Sequence, residues 1–140
     1  MIAVDTSVLI DLLGGDPRAD AAEACLRLAL GEGSVVICEV VVSEITAGLG
    51  LGADVMDTLE DMGVLFSAVD QRAAIRAGEM QRKYNHRART EKPAPATRRT
   101  VPDFIVGAHA LLQCKALITR DAGFFRDYFK GLKVIVPQSS

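Results

Sequence analysis

Four acidic residues sit where a compact chain could bring them together. Asp5 follows the apolar run Ile2-Ala3-Val4, and Asp121 follows Ala116-Leu117-Ile118-Thr119 and Arg120. Glu44 stands in Val42-Ser43-Glu44-Ile45, and Asp103 in Val101-Pro102-Asp103-Phe104. Carboxylates gathered without thiolate or imidazole partners suit a hard cation such as Mg2+ or Mn2+ and disfavour zinc. An ion held by such a cluster polarises a phosphoryl oxygen and supplies an activated water, with a second ion able to stabilise the leaving oxygen. Metal-assisted hydrolysis, with a bound water and no side-chain nucleophile, is the chemistry such a cluster could perform.

Each acid also has an ordinary structural reading. Asp5, Thr6 or Ser7 can cap the helix that begins there, accepting from its first amides. Thr100 and Asp103 have the spacing of a capping box, and an acid in the first turn suits the helix dipole. Asp121 can cap the segment before Phe124, and Glu44 can be a solvated helix position. Against that last reading, the neighbours of Glu44 at helical spacing are Val41, Ile45 and Gly48. A charge on an inward apolar stripe is costly unless a metal or a basic group pairs with it.

The elements that must carry these residues can be read from periodicity. Ile2–Val4 is a short buried strand, and Val8, Leu9, Leu12 and Leu13 form the apolar face of a first helix. After the turn at Gly14-Gly15-Asp16-Pro17, a second helix carries Ala22, Leu26, Ala29 and Leu30. Ser34–Cys38 is a β-branched strand, and a helix is expected from Glu39 to Leu49. Gly48, Gly50 and Gly52 close that helix, so they do not lie in the strand-to-helix setting of a dinucleotide fingerprint. A further helix holds Val55, Leu59 and Met62, and Val64–Phe66 is a third strand. Ser67 or Asp70 caps a long helix running through Ile75 and Met80 toward Tyr84. Thr100–Lys115 is an apolar helix, Ala116–Thr119 a fourth strand and Leu132–Val136 a fifth. Phe124, Phe125, Tyr128 and Phe129 mark a short packed segment between the last two strands.

Strands alternating with helices predict an α/β/α sandwich around a mainly parallel sheet of about five strands. Right-handed crossovers bring the residues that follow each strand to one edge of that sheet, so Asp5 and Asp121 should share it. The 140 residues fit a single domain, 1–140. Almost half are apolar and only 5% aromatic, so the core must be aliphatic. Cys25, Cys38 and Cys114 form neither a disulfide framework nor a zinc spacing. The longest apolar stretch, Ser34 to Val42, is interrupted by Glu39 and is too short to span a bilayer, and Asp5 and Asp11 interrupt any leader. A cytoplasmic protein with reduced thiols and no membrane association is expected.

The net charge of −2 conceals a segregation. Residues 82–99 hold seven cations (Arg82, Lys83, Arg87, Arg89, Lys92, Arg98 and Arg99) against Glu91 alone, a net +6. The rest of the chain, with nine cations and seventeen acids, is −8. Pro93 and Pro95 rule out a continuous helix through the tract. Either this is a solvated loop, or Arg87, Arg89, Arg98 and Arg99 supply the base-independent phosphate contacts that dominate nucleic-acid affinity. His86, in the tract, and His109, in the apolar helix, receive no role.

Val4-Asp5-Thr6-Ser7-Val8-Leu9-Ile10, Val42-Ser43-Glu44-Ile45, Pro102-Asp103-Phe104-Ile105-Val106 and Ile118-Thr119-Arg120-Asp121-Ala122-Gly123-Phe124-Phe125 resemble, in order and spacing, the motifs of PIN-domain ribonucleases, VapC toxins of type II toxin–antitoxin pairs above all. The likeness covers essentially the whole chain. It implies that Asp5, Glu44, Asp103 and Asp121 form an acidic metal pocket, with Thr6 and Thr119 as supporting hydroxyls. It also implies Mg2+ or Mn2+ dependence, endonucleolytic cleavage of RNA to 5′-phosphate and 3′-hydroxyl ends, a cognate antitoxin and a homodimer. Two departures stand out. Glu39 replaces a small polar cap, placing a further carboxylate near the rim, and Arg120-Asp121-Ala122-Gly123 lacks an additional acid that some members carry, which bears on a second metal. A receiver domain would want paired acids after the first strand, and an aspartyl phosphatase a second Asp where Ser7 stands; neither fits. The stronger rival is a PIN-like module that binds RNA or an antitoxin without cutting. Leu51, Val55, Leu59 and Met62 offer either core or an apolar docking stripe.

Overall fold

A computed structural model describes residues 1–15, 17–90 and 98–138. Five strands, β1 (Ile2–Val4), β2 (Val35–Ile37), β3 (Val64–Phe66), β4 (Ala116–Ile118) and β5 (Lys133–Ile135), alternate with seven helices among the described residues. These are α1 (Thr6–Leu13), α2 (Ala19–Glu32), α3 (Glu39–Leu49), α4 (Gly52–Asp61), α5 (Gln71–Thr90), α6 (Val101–Gln113) and α7 (Ala122–Tyr128). The sheet order is β3-β2-β1-β4-β5, and every pairing is parallel. The expected α/β/α architecture is the one observed.

Burial follows sheet position. The central strands β1, β2 and β4 are buried at all three residues, as β-branched and aliphatic runs covered on both faces must be. The edge strands β3 and β5 are partly exposed. From β1 the chain winds through β2 to β3, then crosses back to β4 and β5 on the other side. Right-handed crossovers in opposite directions put helices on opposite faces. In keeping with this, α1 packs on α2 and α3, and α3 on α4, while α5 runs along α6.

The reversal makes β1 and β4 neighbours whose following segments diverge. A crevice opens at their carboxyl ends, the point at which open α/β sheets take ligands. Beside it, Tyr84, Phe104, Phe124, Phe125, Tyr128 and Phe129 form one aromatic cluster with ring centroids 4.9–6.5 Å apart. This is the packed segment expected from the sequence, and it seats α6 against α7. Gly107 in α6 is required here, because a Cβ at that position would run into the Phe129 ring.

One expectation changes. Helix α5 continues to Thr90, well past Tyr84, because Ala73, Ala77, Tyr84 and Ala88 form one continuous buried stripe. Arg82, Lys83, Arg87 and Arg89 are thus helical residues, while Glu91, Lys92, Pro93 and Pro95 lie outside the described residues. Ile75, within the expected helix, is 58% exposed. Of the residues read as either core or docking stripe, Leu59 is core, Val55 and Met62 are half-buried and Leu51 is well exposed. Asp70, one of the two proposed caps, does cap α5, its Oδ1 accepting from the Ala73 amide at 2.8 Å.

Candidate active site

All four predicted acids line one groove. Asp5, Thr6, Ser7, Ile10, Glu44, Asp103, Arg120 and Asp121 enclose about 380 Å³ at the carboxyl ends of β1 and β4. Asp5 leaves β1 in extended conformation as the N-cap of α1, its Oδ1 accepting from the Thr6 amide at 2.8 Å. The capping role therefore coexists with a place in the groove. Its other oxygen accepts from the Thr119 hydroxyl at 2.7 Å, and the same hydroxyl accepts from the Asp121 amide at 3.0 Å. Thr119 thereby couples the two carboxylate-bearing strand ends. Thr6 performs a similar service across elements, donating its hydroxyl to Glu44 Oε1 at 2.7 Å.

Glu44 enters from a different position than the helical wheel predicted. Val41 and Ile45 are buried, but Glu44 and Gly48 are exposed, so Glu44 rims the groove beside the apolar stripe and not on it. Its charge needs no metal to offset desolvation. Asp103 does take part in the capping box with Thr100, whose amide approaches Oδ2 at 3.5 Å. Asp121 stands at the N-cap position of α7 but makes no side-chain cap bond. Its Oδ2 instead lies 2.5 Å from Nη1 of Arg99. Glu39 is directed elsewhere, accepting from the Val69 amide at 2.8 Å, and does not join the rim.

The electrostatics mark Asp5 as the innermost acid. Burial, reinforced by the negative charges of Asp103 and Glu44, pushes its carboxyl up to about 6, while the bonds from Thr119 and the Thr6 amide pull the other way. Two arginines offset the charge. Arg99 pairs with Asp121 and lies over the Phe124 ring, its guanidinium carbon 4.3 Å from the centroid. Arg120 borders the groove but is held by buried Asp11 in α1, through Nε at 2.6 Å and Nη2 at 3.3 Å. The Asp11–Arg120 pair escaped sequence reasoning, although a signal existed. Asp11 lies three residues after buried Val8, a spacing that puts a charge on an inward face and demands a partner.

The donor set tests the fit of a divalent ion. Every donor the groove offers is oxygen, from carboxylates and hydroxyls, which suits Mg2+ or Mn2+. Softer donors are occupied elsewhere. His109 is buried with Nε2 3.1 Å from the Ser67 hydroxyl, and burial pushes the Cys114 thiol to about 11 and raises those of Cys25 and Cys38. Among the described residues, no three His, Cys, Asp or Glu side chains stand close enough to form a finished metal cage. One oxygen each of Glu44, Asp103 and Asp121, and both of Asp5, are engaged by protein groups, among them Thr6, Thr100, Arg99 and Thr119. The residues suit the ion by chemistry, and their oxygens would have to exchange partners to hold it.

Of the four arginines proposed to bind RNA, Arg99 is engaged with Asp121. Arg87 Nη1 lies 3.5 Å from the Tyr128 hydroxyl, and Arg89 Nε donates to the Asn85 carbonyl at 3.2 Å. Arg98 is exposed. Among the described residues, no helix is long and apolar enough to cross a membrane.

No curated protein matches the chain. Among solved structures, the chain resembles VapBC2 from Rickettsia felis bound to a promoter DNA fragment, at TM-score 0.73 and 15% identity, covering 99% of this chain and 100% of that one. It also resembles FitAcB from Neisseria gonorrhoeae, at TM-score 0.65 and 22% identity, covering 98% of each chain. A third is VapC20 from Mycobacterium tuberculosis, a Sarcin-Ricin loop cleaving toxin, at TM-score 0.64 and 18% identity, covering 95% of this chain and 99% of that one. At these identities the likeness establishes the fold. The PIN domain family model matches residues 2–130, nearly the whole chain. On that match and the sheet-edge acids it spans, the chain belongs to the PIN-domain family.

Proposed function

We propose that the protein is a divalent-metal-dependent endoribonuclease, the toxin of a type II toxin–antitoxin pair. The observation that carries this reading is the arrival of Asp5, Glu44, Asp103 and Asp121, from four separate segments, in one oxygen-lined groove at the β1/β4 switch point. Independent capping roles do not require four acids to converge, and the raised Asp5 carboxyl, due first to burial and then to the nearby charges of Asp103 and Glu44, is a perturbation typical of functional sites.

Asp5, Glu44, Asp103 and Asp121 would hold Mg2+ or Mn2+. When bound, the ion supplies Lewis acidity toward the phosphate and lowers the pKa of water. The chain's own residues supply the rest. Thr119 ties the Asp5 carboxylate to the Asp121 backbone, and Thr6 orients Glu44. Arg98, with Arg87 and Arg89 on the last turns of α5, gives the acidic groove an attraction for polyanionic RNA. An antitoxin partner is supported by the toxin–antitoxin complexes among the fold neighbours, and a homodimer by the motif likeness.

The test is direct. Purified protein with Mg2+ should shorten RNA, chelation with EDTA should stop it, and Asp5→Asn should abolish cleavage while remaining folded by circular dichroism. Wild type that binds RNA with Mg2+ present but leaves it full length would overturn the reading in favour of a non-cleaving module.

A further inference from the structure

Two arginines border the acidic groove, and they are held differently. Arg120 is bound by Asp11, which lies outside the acidic set. Arg99 is bound by Asp121, a member of that set, at 2.5 Å. Its backbone is anchored apart from its side chain, the Arg99 amide donating to the Tyr84 hydroxyl at 2.9 Å. Its guanidinium rests on the face of Phe124, a planar platform that keeps an arginine in place after its anion has left. The pair is open to solvent, with side chains 30% and 39% exposed. Such a pair contributes little net stability, so a purely structural clamp is a weak explanation for it. What it does control is access to a carboxylate.

We propose that Arg99 is an exchangeable resident cation of the site. It holds Asp121 in the metal-free protein, competes with a divalent ion for that carboxylate, and once released remains on Phe124, where it takes a phosphate oxygen of the substrate. The proposal rests on the metal-dependent nuclease reading and adds a regulatory element to it, because the affinity for metal becomes a property set by this chain's own arginine. Arginine suits both roles, since its planar donor fork engages carboxylate and phosphate alike.

Titration calorimetry with Mn2+ alone, on the full metal-free chain, tests it without recourse to activity. Arg99→Gln should bind Mn2+ roughly three- to tenfold more tightly than wild type, the range expected for removing one competing ion pair and its repulsion of a dication. Mn2+ should also raise the Tm of Arg99→Gln more than that of wild type, whereas Arg99→Lys, which keeps the charge, should stay near wild type. If Gln at this position unfolds the chain, Arg99→Met, which retains an apolar stem over Phe124, takes its place. With saturating Mn2+, the neutral variant should show a raised KM for RNA with kcat nearly unchanged. Equal or weaker Mn2+ binding by the neutral variant would overturn the proposal and leave the nuclease reading intact. Failure of every folded form, wild type included, to bind Mn2+ would overturn both.

Discussion

Thr119 donates its hydroxyl to Asp5 at 2.7 Å across a sequence separation of 114 residues. That bond, together with the Asp121 amide bonded to the same oxygen, ties the first strand's acid to the fourth strand's. Thr119 is fully buried, so the two bonds have no water to replace them. Thr119→Val, nearly isosteric, should cost about 1–3 kcal/mol by leaving buried polar groups unpaired. It should also raise the Asp5 carboxyl further, since the hydroxyl favours the ionised form. Thr119→Ser should retain most of both. Urea denaturation and NMR titration of the Asp5 carboxyl check the two effects separately.

Asp5 makes stability depend on pH in an unusual direction. Its carboxyl rises from 3.8 to about 6 on folding, so the folded state holds that proton more tightly than the unfolded state. The favourable contribution is complete below the unfolded value and is lost as pH rises through about 6. Metal-free Asp5→Asn should therefore be more stable than wild type at pH 7–8, by about 1–3 kcal/mol after allowance for screening, with the advantage vanishing toward pH 4. Thermal melts in EDTA across this range would reveal a constant difference, or the reverse trend, if the burial assigned to Asp5 were wrong.

The Asp11–Arg120 pair predicts a stability effect separable from chemistry. Asp11 has a side chain only 4% exposed, and Arg120 is its partner from the far side of the crevice. Arg120→Ala should cost about 2–4 kcal/mol by stranding a buried carboxylate, less than a fully buried pair because Arg120 itself is partly exposed. Asp11→Asn combined with Arg120→Ala should recover part of the loss. A double-mutant cycle by chemical denaturation measures the coupling, and additive losses would refute it.

What the sequence made legible, and what it hid, divides along physical lines. Asp5 and Asp121 were readable because a strand's end is local and parallel topology is strongly constrained, so two short apolar runs sufficed to put both acids on one edge. Every strand appeared where periodicity put it. Glu44 was placed in the right helix but on the wrong part of its surface, since spacing gives relative angles around a helix and not where the face ends. The reach of α5 to Thr90 was hidden because the core-facing residues Ala77 and Ala88 are small, and the charged residues around them dominate the pattern. The pairing of Arg99 with Asp121, and of Arg120 with Asp11, depends on side-chain direction in three dimensions, which no one-dimensional spacing encodes.

The basic tract yields a prediction that distinguishes its members. Arg98 is exposed, whereas Arg99 already holds Asp121. With Ca2+ in place of Mg2+ to prevent turnover, Arg98→Gln should weaken RNA binding alike across sequences and reduce the salt slope by about 0.7, the value for one phosphate contact on a single strand. Arg87→Gln and Arg89→Gln should act in the same sense. Binding curves that superimpose on wild type across a salt titration would remove the tract from the RNA path.

Sequencing the ends of RNA fragments, made by wild type and by Asp121→Asn in parallel with Mg2+, bears on the whole proposal at once. Wild type should yield discrete internal cuts with 5′-phosphate and 3′-hydroxyl termini that disappear with EDTA, and the Asp121→Asn variant, folded, should yield none. Cyclic-phosphate termini, cleavage that survives chelation, or a variant that cuts as wild type does would contradict hydrolysis by a metal ion held among these four carboxylates.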